Sequence, residues 1–253
     1  MFPGETNWSH SYGPLVEAGY RVLSLDHRGH GRGLRPARPF RLIDAASDAA
    51  ALLRTLEVGP VVTVGFSMGG AIAQLAAAAY PDLVSGLVLC GTSLHWTDPR
   101  DRMIWRGMAL LQFWLRLFPR PFWAWLTARV YPDDEQSAAW LIGELGRNSP
   151  HDLAEAGREL GRFDSRSWIR HLRQPVAVVC TAYDRLVPPR NQREIASLVP
   201  GATLHEIEAD HDAPVREADL FTGAVLQALE SVRARLGFSA RKGAAPAERQ
   251  SGS

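Results

Sequence analysis

Three residue types that together can activate a hydroxyl group lie far apart in the 253-residue sequence. Ser67 is the centre of residues 65–69, which read Gly-Phe-Ser-Met-Gly, a G-x-S-x-G pattern. A serine hydroxyl is a weak nucleophile at neutral pH, so it needs a base, and the base needs a group that orients it. We predict that His211 is the base for Ser67 and that Asp184 is the acid that orients the imidazole.

The residues around the serine predict a sharp turn between a strand and a helix. The apolar run 61–64 precedes the motif and the small-residue run 69–79 follows it, which is the context that G-x-S-x-G requires. The turn would hold the hydroxyl at a helix N-terminus, where the backbone N–H of Met68 can donate to an oxyanion. We expect Gly65 and Gly69 to avoid clashes between helix and strand. A purely structural turn is the alternative.

The acid and the base each follow a predicted strand. Asp184 comes just after the apolar run 176–180, and His211 comes just after the run 203–207. Because functional residues of parallel sheets gather at the carboxyl ends of the strands, we expect all three side chains to meet within hydrogen-bonding distance. Asp98, which follows an earlier strand, is the alternative acid.

Short β-rich runs alternate with helical segments, which predicts an α/β fold with a mostly parallel sheet flanked by helices. The predicted strands are 21–25, 61–64, 87–90, 176–180 and 203–207, and the predicted helices are 44–56, 69–79 and 220–236. The alternation assigns residues 1–94 and 173–236 to one core, and the polar residues 237–253 to a disordered tail.

Residues 95–172 interrupt the alternation, because they are helical in pattern and contain no predicted strand. Seven of the eight tryptophans lie there: Trp96, Trp105, Trp114, Trp123, Trp125, Trp140 and Trp168. We interpret the segment as a helical cap inserted over the site, with Trp96, Trp105 and Trp114 as candidate substrate-pocket residues. The alternative is that the aromatic residues only hold the insertion together.

Composition excludes several other classes of protein. The formal net charge is +1 and no basic stripe is present, which argues against nucleic-acid binding. Cys90 and Cys180 are expected to be buried reduced thiols, and the Cys and His spacing is not that of a metal site. The most apolar stretch, 108–130, contains Pro119 and Pro121 and the charged residues Arg116 and Arg120, which argues against a membrane span. Without a signal-peptide pattern at the start, we expect a cytoplasmic protein.

With these motifs assembled, the chain resembles the α/β-hydrolase superfamily over nearly its full length. Residues 26–31, Asp-His-Arg-Gly-His-Gly, are similar to the D-x-R-G-x-G turn that follows an early strand in that family. Residues 181–189 and 209–215 resemble its acid and histidine loops. The resemblance implies a site beneath the cap and cofactor-free hydrolysis of a small-molecule carboxylic ester or thioester. It leaves the oligomeric state open.

The start of the sequence departs from the family pattern. Family members usually carry two or three further strands upstream, the last of which runs into H-G-x-P-G, and residues 2–4 resemble only the end of that motif. The resemblance places the absent strand between the strands at 21–25 and 61–64, so we expect the natural protein to begin earlier. It also makes the backbone N–H of Phe2 the second oxyanion donor, next to that of Met68.

Several functions share these residues. The same triad could carry out perhydrolysis, hydrolysis of a C–C bond, acyl transfer to an alcohol, or lyase chemistry. A non-catalytic ligand-binding protein and an interaction module that uses aromatic residues of the cap are the two non-enzymatic alternatives. The serine at position 67 excludes the family branches that use an aspartate nucleophile.

Overall fold

A parallel four-stranded sheet forms the centre of the protein in the computed structural model, which describes residues 4–35, 37–97, 125 and 150–237. The strands are β1 (Val61–Phe66), β2 (Val84–Cys90), β3 (Val176–Thr181) and β4 (Thr203–Ile207), in the spatial order β1-β2-β3-β4. Phe66 lies opposite Cys90, and Thr181 lies opposite Ile207. All four strands therefore end at the same edge of the sheet.

Helices cover both faces of this sheet. They are α1 (Gly4–Glu17), α2 (Leu42–Thr55), α3 (Met68–Ala79), α4 (Pro150–Leu160), α5 (Pro189–Leu198), α6 (Ala213–Arg216) and α7 (Ala218–Arg235). Leu87 and Leu89 pack with α2, α3 and α5 on one face, whereas Val88 and Cys90 pack with α1 and α7 on the other. The α/β architecture with a parallel sheet between helices is as predicted.

The continuous apolar runs of β2 and β3 result from this two-sided cover. Every residue of β3 is buried, and so is every residue of β2 except Ser85. A parallel strand that is covered on both faces has no solvent side, so its sequence does not alternate. The same property made these two strands easy to predict.

The strand predicted at 21–25 was wrong. Residues 20–27 form neither helix nor strand, and the side chains of Val22 and Leu23 are 39% and 44% exposed. A strand needs the backbone of a neighbour as its hydrogen-bonding partner. A cavity of about 1200 Å³, lined by residues 20–25 on one side and by β1 on the other, separates the two segments. An apolar pattern alone cannot supply that partner.

The helix α1 was not predicted, because tertiary contacts rather than helix propensity stabilise it. α1 contains Gly13 and Pro14, both poor helix formers. Its side chains nevertheless pack on α7: the rings of Trp8 and Phe221 lie 5.6 Å apart, and the hydroxyls of Ser11 and Thr222 are 2.8 Å apart. α5 was missed as well, although Pro189 at its first turn is a common helix start.

Only parts of the predicted insertion fall within the described residues, namely 95–97, 125 and 150–172. His95 and Asp164 form an isolated antiparallel bridge that brings the two ends of the insertion together. Trp96 is 4% exposed and its ring lies 5.7 Å from that of Phe163. Both rings belong to the core on the α3 side of the sheet. The remainder of the predicted cap and the tail from residue 238 lie outside the described residues.

Candidate active site

Ser67 lies at the turn between β1 and α3, in a backbone conformation that side chains rarely adopt. Its φ is 53° and its ψ is −119°, and such a conformation costs about 1–3 kcal/mol. The neighbouring backbone permits it because a Cβ at Gly65 would collide with the carbonyl group of Gly69. The serine is thus presented at the carboxyl end of β1 and at the N-terminus of α3.

The second glycine predicted to relieve a clash was the wrong one. A Cβ at Gly69 would have nothing within 4 Å, so steric crowding does not require glycine there. At Gly70, by contrast, a Cβ would collide with the side chain of Thr92, which follows β2. The close approach is therefore between the first turn of α3 and the loop after β2, and only the fold reveals it.

The structure brings Ser67, His211 and Asp184 together at the carboxyl edge of the sheet. The His211 Nε2 atom lies 3.1 Å from the Ser67 Oγ atom, and the His211 Nδ1 atom lies 2.8 Å from an Asp184 carboxylate oxygen. The imidazole side chain is 19% exposed and the carboxylate is fully buried. The three groups form one continuous hydrogen-bonded chain.

Four further donors surround the buried carboxylate of Asp184. The backbone N–H groups of Leu186 and Val187 donate to Oδ1 at 2.9 and 2.7 Å. The Thr181 hydroxyl and the Gln192 amide donate to Oδ2 at 2.8 and 3.1 Å. Buried polar oxygens are costly unless they accept hydrogen bonds, and these four donors satisfy both carboxylate oxygens.

Thr181 and Gln192 were not identified from the sequence. Gln192 lies in α5, is fully buried, and also donates to the Val187 carbonyl at 2.8 Å. Thr181 follows the predicted strand directly and lies three residues before the acid, so its proximity in the sequence was a signal that could have identified it. Gln192 could not, because nothing in the sequence places α5 beside the acid loop.

Asp210 joins the loop that carries the acid to the loop that carries the base. Its Oδ1 atom accepts hydrogen bonds from the backbone N–H of Arg185 at 2.9 Å and from that of His211 at 2.7 Å. Burial opposes the charge, but these two hydrogen bonds and the positive charge of Arg185 hold the pKa of Asp210 below its usual value. The sequence indicated only that this residue flanks the base.

The loop at residues 26–31 is anchored to α2. The Arg28 guanidinium donates to both carboxylate oxygens of Asp48, at 2.7 and 2.6 Å, and Asp26 accepts from the Arg32 N–H at 2.9 Å. His27 and His30 of this loop line the cavity. Burial lowers the pKa of His27 to about 4, so its imidazole is neutral at neutral pH.

The cavity opens onto Ser67 and His211. Ser67, Met68, His211, Leu186 and Val187 line one end of it, and apolar side chains dominate its walls. Trp96, one of the predicted pocket residues, also lines it. Such a surface fits an apolar group next to the serine. Within the described residues, no cluster of three or more His, Cys, Asp or Glu side chains could hold a metal ion.

Several predicted residues lie outside the described part of the chain: Phe2, Asp98, Trp105 and Trp114. The two cysteines are free and buried, as predicted. Burial raises the pKa of Cys180 to about 12, so it is a thiol rather than a thiolate at neutral pH. In the part of the chain that the structure covers, no helix has the length and apolar content of a transmembrane span.

Comparisons with known proteins agree with this fold. A family model described as the alpha/beta hydrolase fold matches residues 1–135. A 3-oxoadipate enol-lactonase from Acinetobacter baylyi is 26% identical, over 81% of this chain and 77% of its own length. The human serine hydrolase BPHL is 28% identical, over 86% of this chain and 72% of its own. A thermophilic esterase structure from Thermogutta terrifontis superimposes with a TM-score of 0.76 at 24% identity, covering 91% of this chain and 86% of its own.

Proposed function

We propose that this chain, which belongs to the α/β hydrolase fold family, cleaves a small-molecule carboxylic ester or thioester through an acyl-enzyme on Ser67. The observation that carries the proposal is the hydrogen-bonded chain from Ser67 through His211 to Asp184, with distances of 3.1 and 2.8 Å. Relatives named as an enol-lactonase and a serine hydrolase support an ester-type substrate. The apolar cavity beside the serine favours an apolar acyl or alkyl group.

In the first half of the proposed reaction, the Ser67 hydroxyl attacks the carbonyl carbon of the ester. The imidazole of His211 takes the hydroxyl proton at Nε2, because Nδ1 is held by the carboxylate of Asp184. The tetrahedral intermediate carries its negative charge on the former carbonyl oxygen. The Nε2 proton then passes to the leaving alcohol or thiol, and the acyl-enzyme remains.

In the second half, the same imidazole activates water. Water gives a proton to Nε2 as it attacks the acyl carbon, and that proton returns to Ser67 when the acid leaves. The backbone N–H of Met68, at the first turn of α3, is one proposed donor to the oxyanion in both halves. The N–H of Phe2 is the other. No metal or organic cofactor enters this sequence.

A fluorophosphonate probe tests the nucleophile directly. Wild type should become labelled at one serine, and Ser67→Ala should abolish both labelling and turnover of p-nitrophenyl esters. Ser197→Ala is the matched control, because this exposed hydroxyl donates to the Glu194 carbonyl and does not line the cavity; the variant should label like wild type. Labelling that persists in Ser67→Ala would mean that another residue is the nucleophile.

The reaction class needs a second measurement, because perhydrolysis, acyl transfer and C–C bond hydrolysis use the same three side chains. A panel of p-nitrophenyl esters of increasing acyl length, run in water and then with hydrogen peroxide or an alcohol added, separates them. Release of the free acid at the same rate in all three media supports hydrolysis. A wild type that binds esters but neither labels nor turns over would instead favour the non-catalytic alternative.

A further inference from the structure

We propose that Thr92 is a positioning residue that aims the backbone N–H of Met68 at the oxyanion; this rests on the proposed function. Thr92 lies in the loop that follows β2, is 1% exposed, and touches none of the three hydrogen-bonded side chains by its own hydroxyl. Its effect on the site passes through one contact with the backbone of Ser67.

That contact is a hydrogen bond from the Thr92 hydroxyl to the backbone carbonyl oxygen of Ser67, at 2.7 Å. The same oxygen accepts a second hydrogen bond from the N–H of Gly70, at 2.9 Å. Two donors from different parts of the chain thus fix the direction of one carbonyl group. This carbonyl belongs to Ser67, whose φ of 53° is a conformation that the backbone does not favour by itself.

Fixing this carbonyl also fixes the proposed oxyanion donor. The carbonyl of Ser67 and the N–H of Met68 belong to the same peptide unit, which is planar and trans. In such a unit the C=O and N–H bonds point in opposite directions. Any rotation of the Ser67 carbonyl away from Thr92 therefore turns the Met68 N–H by the same angle, away from the position that the oxyanion would occupy.

Thr92 is itself rigidly held. A Cβ at Gly70 would collide with three atoms of its side chain, so the first turn of α3 packs tightly against it. The next residue, Ser93, accepts a hydrogen bond at its carbonyl from the Gln74 amide at 3.2 Å, and the Ser165 hydroxyl donates to the Gln74 carbonyl oxygen at 2.7 Å. These three polar side chains are all fully buried. The loop after β2 is thereby joined to α3.

The test compares Thr92→Val, which keeps the shape and removes the hydroxyl, with Thr92→Ser, which keeps the hydroxyl. Thr92→Val should lower kcat about tenfold and leave KM within about twofold, because the lost alignment acts on the transition state and not on the bound ester. Thr92→Ser should stay within about threefold of wild type. Thr203→Val is the control, because the wild-type Thr203 hydroxyl is hydrogen-bonded to that of Ser231 at the amino end of β4, opposite to the end that carries the site.

A trifluoromethyl ketone supplies a readout that a purely structural role would not move. Such ketones add to the serine hydroxyl and place a negative oxygen where the oxyanion forms. In Thr92→Val the inhibition constant of the ketone should rise about tenfold, which is the factor by which kcat/KM should fall. The fraction of molecules labelled by fluorophosphonate normalises every rate to folded, competent enzyme.

Three results would overturn the proposal. They are a wild-type kcat and inhibition constant in Thr92→Val, an equal fall of kcat in Thr92→Ser and Thr92→Val, or a rise in KM with kcat unchanged in Thr92→Val. If Thr92→Val does not fold, Thr92→Cys replaces it. Because a thiol is a weaker hydrogen-bond donor than a hydroxyl, the kcat of Thr92→Cys should lie below that of Thr92→Ser and above the value expected when the hydrogen bond is lost completely. A wild-type kcat in Thr92→Cys would count against the role. Failure of the proposed function looks different, because wild type itself would then neither label nor hydrolyse esters.

Discussion

The two ends of the strand order, β3 and β4 on one side and β1 on the other, differ in how firmly they hold the candidate site. On the side of β3 and β4, every residue of β3 is buried, and the carboxylate of Asp184 accepts hydrogen bonds from four groups besides His211. On the side of β1, the first four residues of the strand are only half-buried, the cavity borders its outer edge, and residues 20–27 have no regular structure.

This difference shows which contacts assemble the site. The base and the acid are held by their own loops and by α5, and the acid also by β3, which is buried along its whole length. Ser67 is held from the side of β2, through its N–H, which donates to the Cys90 carbonyl at 2.9 Å, and its carbonyl, which accepts from Thr92. The three side chains therefore meet although residues 20–27, beyond β1, form no strand.

The largest effect should come from removing Asp184, the acid that follows β3. Asp184→Ala leaves the imidazole without the group that fixes its tautomer, and we expect kcat/KM to fall about 10⁴-fold, as when the acid of a serine-protease triad is disabled. Asp98→Ala, the alternative acid, should change kcat/KM by less than about twofold. Steady-state hydrolysis of a p-nitrophenyl ester measures both. Full activity in Asp184→Ala together with loss in Asp98→Ala would reverse the assignment.

The pH dependence of stability tests the β1 side through His27, which lines the cavity. Burial, and secondarily the neighbouring His30, lowers the pKa of His27 from its ordinary 6.5 to about 4. Between these values the unfolded chain binds the proton and the folded chain does not, so stability falls as the pH drops from 6.5 to 4. The full loss below pH 4 is about 3 kcal/mol.

The measurement is urea unfolding at several pH values in wild type and His27→Gln. The variant should lack the part of the slope that His27 contributes, while the carboxylates continue to titrate in both proteins. His10→Gln, at an exposed position of α1, should keep the wild-type slope. Parallel wild-type and His27→Gln profiles would show that His27 is not buried in the neutral form.

A pair of valine truncations compares the two sides by packing alone. Val179 in β3 is 0% exposed and Val22 is 39% exposed. Val179→Ala should destabilise the protein by about 2 kcal/mol, because it removes two buried methyl groups and leaves a void. Val22→Ala should cost less than about 0.5 kcal/mol. Equal losses in thermal or urea unfolding would show that the segment around Val22 is packed as tightly as the sheet.

The same two sides explain what could be predicted from the sequence. β2 and β3 were predicted because burial on both faces produces unbroken apolar runs, and Asp184 and His211 follow strands directly. The prediction at 21–25 failed because strand pairing is a tertiary property that local pattern cannot supply. Gln192 and Thr92 were missed for a related reason: each acts through a contact between distant segments.

The smallest effect should come from Asp210, which joins the acid and base loops without touching the serine. Asp210→Ala removes the acceptor for the N–H groups of Arg185 and His211, and the loosened loops should reduce kcat/KM about fivefold. Asp82→Ala is the control, because that carboxylate is 66% exposed, pairs with Arg54 and does not line the cavity; it should leave kcat/KM unchanged. If Asp210→Ala matches wild type while Asp184→Ala loses activity, the order of the acid and base loops comes from the strands and α5 alone, and the link between the loops contributes nothing to it.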